Sequence, residues 1–125
     1  MPNRIIIKPY DTYDISTFVI QGDIVYIGHF AGSYDDEGNK IFSAEAQTIR
    51  AFRNLEQALK EIDLGLENVL KVTVILKDIA DFDAMHKAWK QIFTGEYPAR
   101  TTITSDFVDD FCRVQIEGIA CVNHS

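Results

Sequence analysis

Of the side chains that could do chemistry here, Arg100 is placed best, in Tyr97-Pro98-Ala99-Arg100-Thr101-Thr102. A proline-fixed entry puts it at the start of an expected strand, where its planar guanidinium can offer a fork to a carboxylate. The plainer alternative is a surface arginine in a weak ion pair. His29 follows Gly28 at the end of another expected strand and is placed to face a cleft, although a lone histidine is more often structural. His29, His86 and His124 stand far apart, and Cys112 and Cys121 form no CxxC pair, so no metal is expected. Both cysteines fall in or beside an expected strand, where inert thiols are common. No GxGxxG, GxxxxGK or GxSxG supplies a nucleotide cradle or a hydrolase elbow. Asp35-Asp36-Glu37 reads as a solvated loop, not a cation site.

The elements that must position these residues follow from periodicity. Phe18-Val19-Ile20 and Ile24-Val25-Tyr26-Ile27 flank Gly22 and predict an N-terminal hairpin, with Ile5-Ile6-Ile7 ahead of it. Residues 32–39 are polar and turn-rich, an exposed loop. From Ala44 to Ile62, the residues Ile49, Phe52, Leu55, Leu59 and Ile62 recur at helical spacing, with Ser43 as cap and Gly65 as terminator. Leu70, Val72, Val74 and Leu76 alternate as a strand. Phe82, Met85, Trp89, Ile92 and Phe93 mark a second helix, starting near Asp78 or Asp81 and stopping at Gly95. Residues 101–104 and 113–121 predict two closing strands. The order ββ-α-β-α-ββ predicts a two-layer α+β sandwich with a mixed sheet and both helices on one face. Ile75, Ile119 and Cys121 then point from the open face, for which oligomerisation is the remedy.

The 125 residues are 46% hydrophobic and 25% charged, which predicts one domain over residues 1–125. No apolar run is long enough for a membrane span or a secretory signal, so a soluble, cytoplasmic chain is expected, with reduced cysteines. Twelve Lys+Arg against nineteen Asp+Glu give a net charge of −7, a field that repels nucleic acid and anionic membranes.

A set of short words then stands in a telling order: Gly28, Ala46-Gln47-Thr48, Asn54-Leu55, 66–74, Lys77-Asp78, Asp81-Phe82, Pro98-Ala99-Arg100-Thr101 and 116–120. Together they resemble the RidA/YjgF family, from about Gly22 to Ala120. The resemblance implies a chorismate-mutase-like fold and a homotrimer with ligand clefts at subunit interfaces. It also implies hydrolysis of enamines and imines of 2-amino acids to 2-keto acid and ammonia, with no cofactor. Arg100 matches the family arginine that holds the substrate carboxylate.

Other positions depart from the pattern. The family's water-activating glutamate falls on Gln115, an amide that cannot accept a proton as a carboxylate does. Glu117 lies two residues along the same strand face, about 6–7 Å away, and is read as structural. Thr102 stands where many deaminases carry cysteine. The family's Ser-Gly-Gln looks like Ile27-Gly28-His29, an asparagine on the second helix appears as His86, and the aromatic residue ahead of the strands is Tyr13 or Phe18. Two readings follow. One is a trimer that binds a small carboxylate through Arg100, with Thr102, Gly28 and His29 alongside, and hydrolyses 2-imino or 2-enamino acids with a water oriented by Gln115. The other is a non-catalytic trimer that binds or senses a keto acid. The charge argues against the ribonuclease or translation-inhibitor role attached to some members of this family.

Overall fold

The computed structural model describes residues 1–122. In chain order the elements are β1 (Asn3–Ile5), β2 (Phe18–Gln21), β3 (Ile24–Ala31), α1 (Ala44–Lys60), β4 (Val69–Leu76), α2 (Phe82–Ile92), β5 (Ala99–Thr104) and β6 (Val114–Cys121). The strands form one six-stranded sheet in the order β1-β2-β3-β6-β4-β5. All neighbours are antiparallel except β4 and β5, and that parallel pair is joined through α2, the crossover a parallel pair requires. The expected mixed-sheet α+β sandwich is the one observed.

Both helices bury their apolar stripes on one sheet face. Phe52, Leu55 and Leu59 of α1 and Met85 and Trp89 of α2 meet Val25, Phe30, Val72, Val74, Val114 and Ile116 there, with Phe52 edge-on to Trp89. On the opposite face, Tyr26 and Ile103 are 51% and 46% exposed, and Ile75 and Ile119 are half-buried. Close backbone approach explains two glycines: a Cβ on Gly118 would stand 2.1 Å from the Lys71 carbonyl oxygen, and one on Gly32 2.3 Å from that of Gln47.

Local details correct several expected boundaries. Ser43 Oγ accepts from the Ala46 N–H at 3.0 Å and caps α1 as expected, but the helix ends at Lys60. Asp63 turns left-handed (φ 61°) and lets the Leu64 N–H close on the Leu59 carbonyl, so Gly65 is not the terminator. Gly65 instead opens the short turn Leu66–Asn68, its N–H held by Asn68 Oδ1. A bulge between Val69 and Lys71 turns Leu70 out to 49% exposure, breaking the alternation its apolar type suggested. Asp78 caps the turn Ile79–Asp81 and Asp81 precedes α2, which stops at Ile92, three residues short of Gly95.

Candidate functional site

Arg100 leaves β5 in register with Val72, and Val72 is buried under the helices, so the guanidinium emerges on the helix-covered face at the sheet's edge. There it meets α2. Its Cζ lies 4.7 Å from the centroid of Trp89 and 5.7 Å from that of Phe82, and Nη1 is 3.2 Å from His86 Nδ1. The imidazole lies parallel to Phe82, interplanar angle 8°. Among the described residues no carboxylate pairs with Arg100. Burial against the aromatic faces lowers its pKa, and the cation is held by ring quadrupoles instead of by a counter-ion. Such a cation retains its attraction for an anion from solution. Thr102, in register with Val74, shares that face and is half-buried.

Gln115 lies elsewhere. It pairs with Ile75, one residue out of phase with Val74, and so projects from the opposite face. It lines a groove of about 760 Å³ between segment 7–15, the loop at 33–36, α1 and the start of β6. His29, Tyr13, Tyr10, Arg50 and Cys112 also line it, whereas Arg100 and Thr102 do not. Gln115 Nε2 is 3.8 Å from Cys112 Sγ. His29 sits in the irregularity of β3 between Ile27 and Phe30. Desolvation pushes its imidazole below the ordinary value of 6.5, and the Glu117 carboxylate opposes that shift. Gly28 donates its N–H to the Thr17 carbonyl at 2.9 Å, and a Cβ there would stand 3.1 Å from the Ser16 carbonyl oxygen. Phe18 is wholly buried in the core, which leaves Tyr13 as the accessible one of the two aromatic candidates.

The groove's polar wall is built locally. Asp35 Oδ1 accepts from the N–H groups of Asn39 and Glu37, which hold the carboxyl below the usual range, and Tyr34 bridges to Lys40. Arg50 pairs with Asp36. Loop 33–39 is therefore internally bonded, not a featureless coil.

One chain thus places the candidate residues in two groups on opposite faces: Arg100 with Thr102, and Gln115 with His29. The contact of Arg100 with His86 and Trp89 has no signal in sequence, because the β4-α2-β5 crossover creates it. Trp89, expected as core, is core and also the cation's platform. Among the described residues no three His, Cys, Asp or Glu side chains gather as a metal site, and His124 lies outside those residues. No helix among them is long and apolar enough to cross a membrane.

The six-stranded mixed sheet with two helices on one face defines an α+β protein of the chorismate-mutase-like type. Solved structures share it: yeast Mmf1 superposes with a TM-score of 0.86 at 21% identity, over 98% of this chain and all of that one. A YjgF-family member from Neisseria meningitidis gives 0.83 at 18%, over 100% and 98%. The family profile described as Endoribonuclease L-PSP matches residues 6–122, and the chain belongs to that family, also called RidA/YjgF. A RutC family protein of Pyrococcus abyssi is 34% identical over 117 residues, 90% of this chain and 88% of the relative. A human 2-iminobutanoate/2-iminopropanoate deaminase is 29% identical over 106 residues, 84% and 77%. With a RutC family protein UK114 of Drosophila melanogaster the match is 39% over 74 residues, spanning 59% of this chain and 54% of the relative.

Proposed function

We propose that this protein binds a small 2-keto or 2-imino carboxylate in a cleft between subunits of a homotrimer, Arg100 of one copy holding the carboxylate and Gln115 and His29 of the next facing the reacting carbon. The observation that carries this reading is the guanidinium of Arg100, backed by Trp89 and, among the described residues, without a carboxylate partner. A bidentate carboxylate satisfies it better than any neutral group. Placement of Gln115 on the other sheet face supports an interchain cleft, since one ligand cannot touch both faces of one sheet.

In the hydrolytic version, water oriented by the Gln115 amide attacks the electrophilic carbon of a protonated imine. The tetrahedral adduct then expels ammonia and leaves the 2-keto acid. The substrate is intrinsically labile, so positioning supplies most of the acceleration. Gln115 favours a second reading, binding without turnover, because an amide orients water without taking its proton.

The deciding assay generates 2-iminopropanoate and 2-iminobutanoate in situ with an amino-acid oxidase and traps the remaining imine with semicarbazide. Activity in the parent that disappears in Arg100→Ala establishes a deaminase. No activity in either, together with 2-oxobutanoate binding that Arg100→Ala abolishes, establishes a binding protein; Gln115→Glu is then expected to confer turnover. Retention of binding or activity in Arg100→Ala would overturn the proposal.

A further inference from the structure

We infer that His86 is a positioning residue for Arg100: its neutral imidazole accepts a hydrogen bond at Nδ1 and fixes the direction of the guanidinium fork. The inference rests on the reading of Arg100 as carboxylate receptor and adds the device that aims it.

A guanidinium only donates, so at 3.2 Å from Nη1 the His86 Nδ1 must present a lone pair, which puts the ring proton on Nε2. The ring is itself held flat on Phe82. Phe82 and Trp89 attract the cation but, as π faces, do not fix where the rigid fork points within its own plane; a single in-plane acceptor does. Among the described residues Arg100 has no other hydrogen-bond partner for its side chain, so His86 alone supplies that directional restraint. A fork aimed beforehand loses less freedom when a carboxylate docks.

Replacement chemistry gives a sharp test. Asparagine Oδ1 occupies the same place along the side chain as histidine Nδ1, glutamine Oε1 corresponds to Nε2, and leucine offers no acceptor. Calorimetric titration with 2-oxobutanoate is therefore expected to show His86→Asn binding within about twofold of the parent, and His86→Gln and His86→Leu up to about tenfold weaker, the cost of immobilising one long side chain when the ligand docks. In a turnover assay the same loss should fall on KM and leave kcat nearly unchanged.

If all three variants bind like the parent while Arg100→Ala does not, the positioning role is overturned and the receptor stands. If His86→Asn is as weak as His86→Leu, the acceptor is not what matters and the inference is overturned. If Arg100→Ala binds normally, or the parent has no affinity, the receptor reading itself fails. Nitrogen NMR of the His86 ring tests the geometry without a ligand: a pyridine-type Nδ1 and a pyrrole-type Nε2 are expected, and the reverse tautomer would overturn the inference whatever the titrations show.

Discussion

Arg100 and His29 each sit where burial works against the charged form. Arg100 has traded water for aromatic faces, and its net attraction for an anion is what that environment leaves unspent. His29 is the counterpart on the other sheet face. Desolvation there favours the neutral ring, so its folded pKa lies below 6.5 while the unfolded chain titrates at the ordinary value. Below that ordinary value the unfolded state binds the extra proton more readily, and stability falls as pH drops from 6.5 towards the folded value, then levels off. The nearby Glu117 carboxylate works against the shift, so Glu117→Gln is expected to move the His29 midpoint further down. Proton NMR of the imidazole ring in both proteins measures this directly. A parental midpoint at or above 6.5, or an upward move in the variant, would contradict the electrostatic account.

At the level of elements, one side chain ties α1 to the segment that starts β6. Gln47 is fully buried; its Nε2 donates to the carbonyls of Ile41 (2.8 Å) and Phe111 (3.3 Å), and its Oε1 accepts from the Arg113 N–H at 2.8 Å. Gln47→Leu leaves two carbonyls and one N–H without partners at nearly constant volume, and is expected to destabilise the fold by about 2–4 kcal/mol. Urea unfolding at fixed protein concentration would measure it, and a change below about 0.5 kcal/mol would show that water replaces the amide. In the sequence Ala46-Gln47-Thr48 stands out only as part of a family pattern, since nothing local says that a helical glutamine staples two loops. What was legible was periodic: the helical spacing of Phe52, Leu55 and Leu59, the Ser43 cap, and the alternation along β6. Leu70 escaped because a bulge changes phase without changing residue type. Arg100 was legible as a candidate through its proline-bounded word, but its partners His86 and Trp89 were not, because the β4-α2-β5 crossover and not chain proximity brings them together.

For the whole molecule, the decisive fact is that Arg100 and Gln115 face opposite sides of one sheet. If both act on one ligand, they come from different copies, and the contact between copies joins unlike surfaces, the helix-side edge at β5 to the groove beside β6. A contact of that kind either closes into a ring or runs on as a filament; closure at three gives three equivalent clefts. Sedimentation of the proposed assembly should show three chains per particle, and a monodisperse monomer would remove the interchain cleft. Mixing separates the geometry from the stoichiometry. Arg100→Ala chains and chains with the groove blocked by Gln115→Trp should each bind no 2-oxobutanoate alone. When they are unfolded together in equal amounts and refolded, a cleft is intact wherever a blocked chain supplies Arg100 to an Arg100→Ala chain that supplies Gln115. Random assembly makes that about one cleft in four, so about a quarter of the parental binding capacity should return. Were both residues to serve a ligand from the same chain, every cleft would contain one lesion and nothing would return.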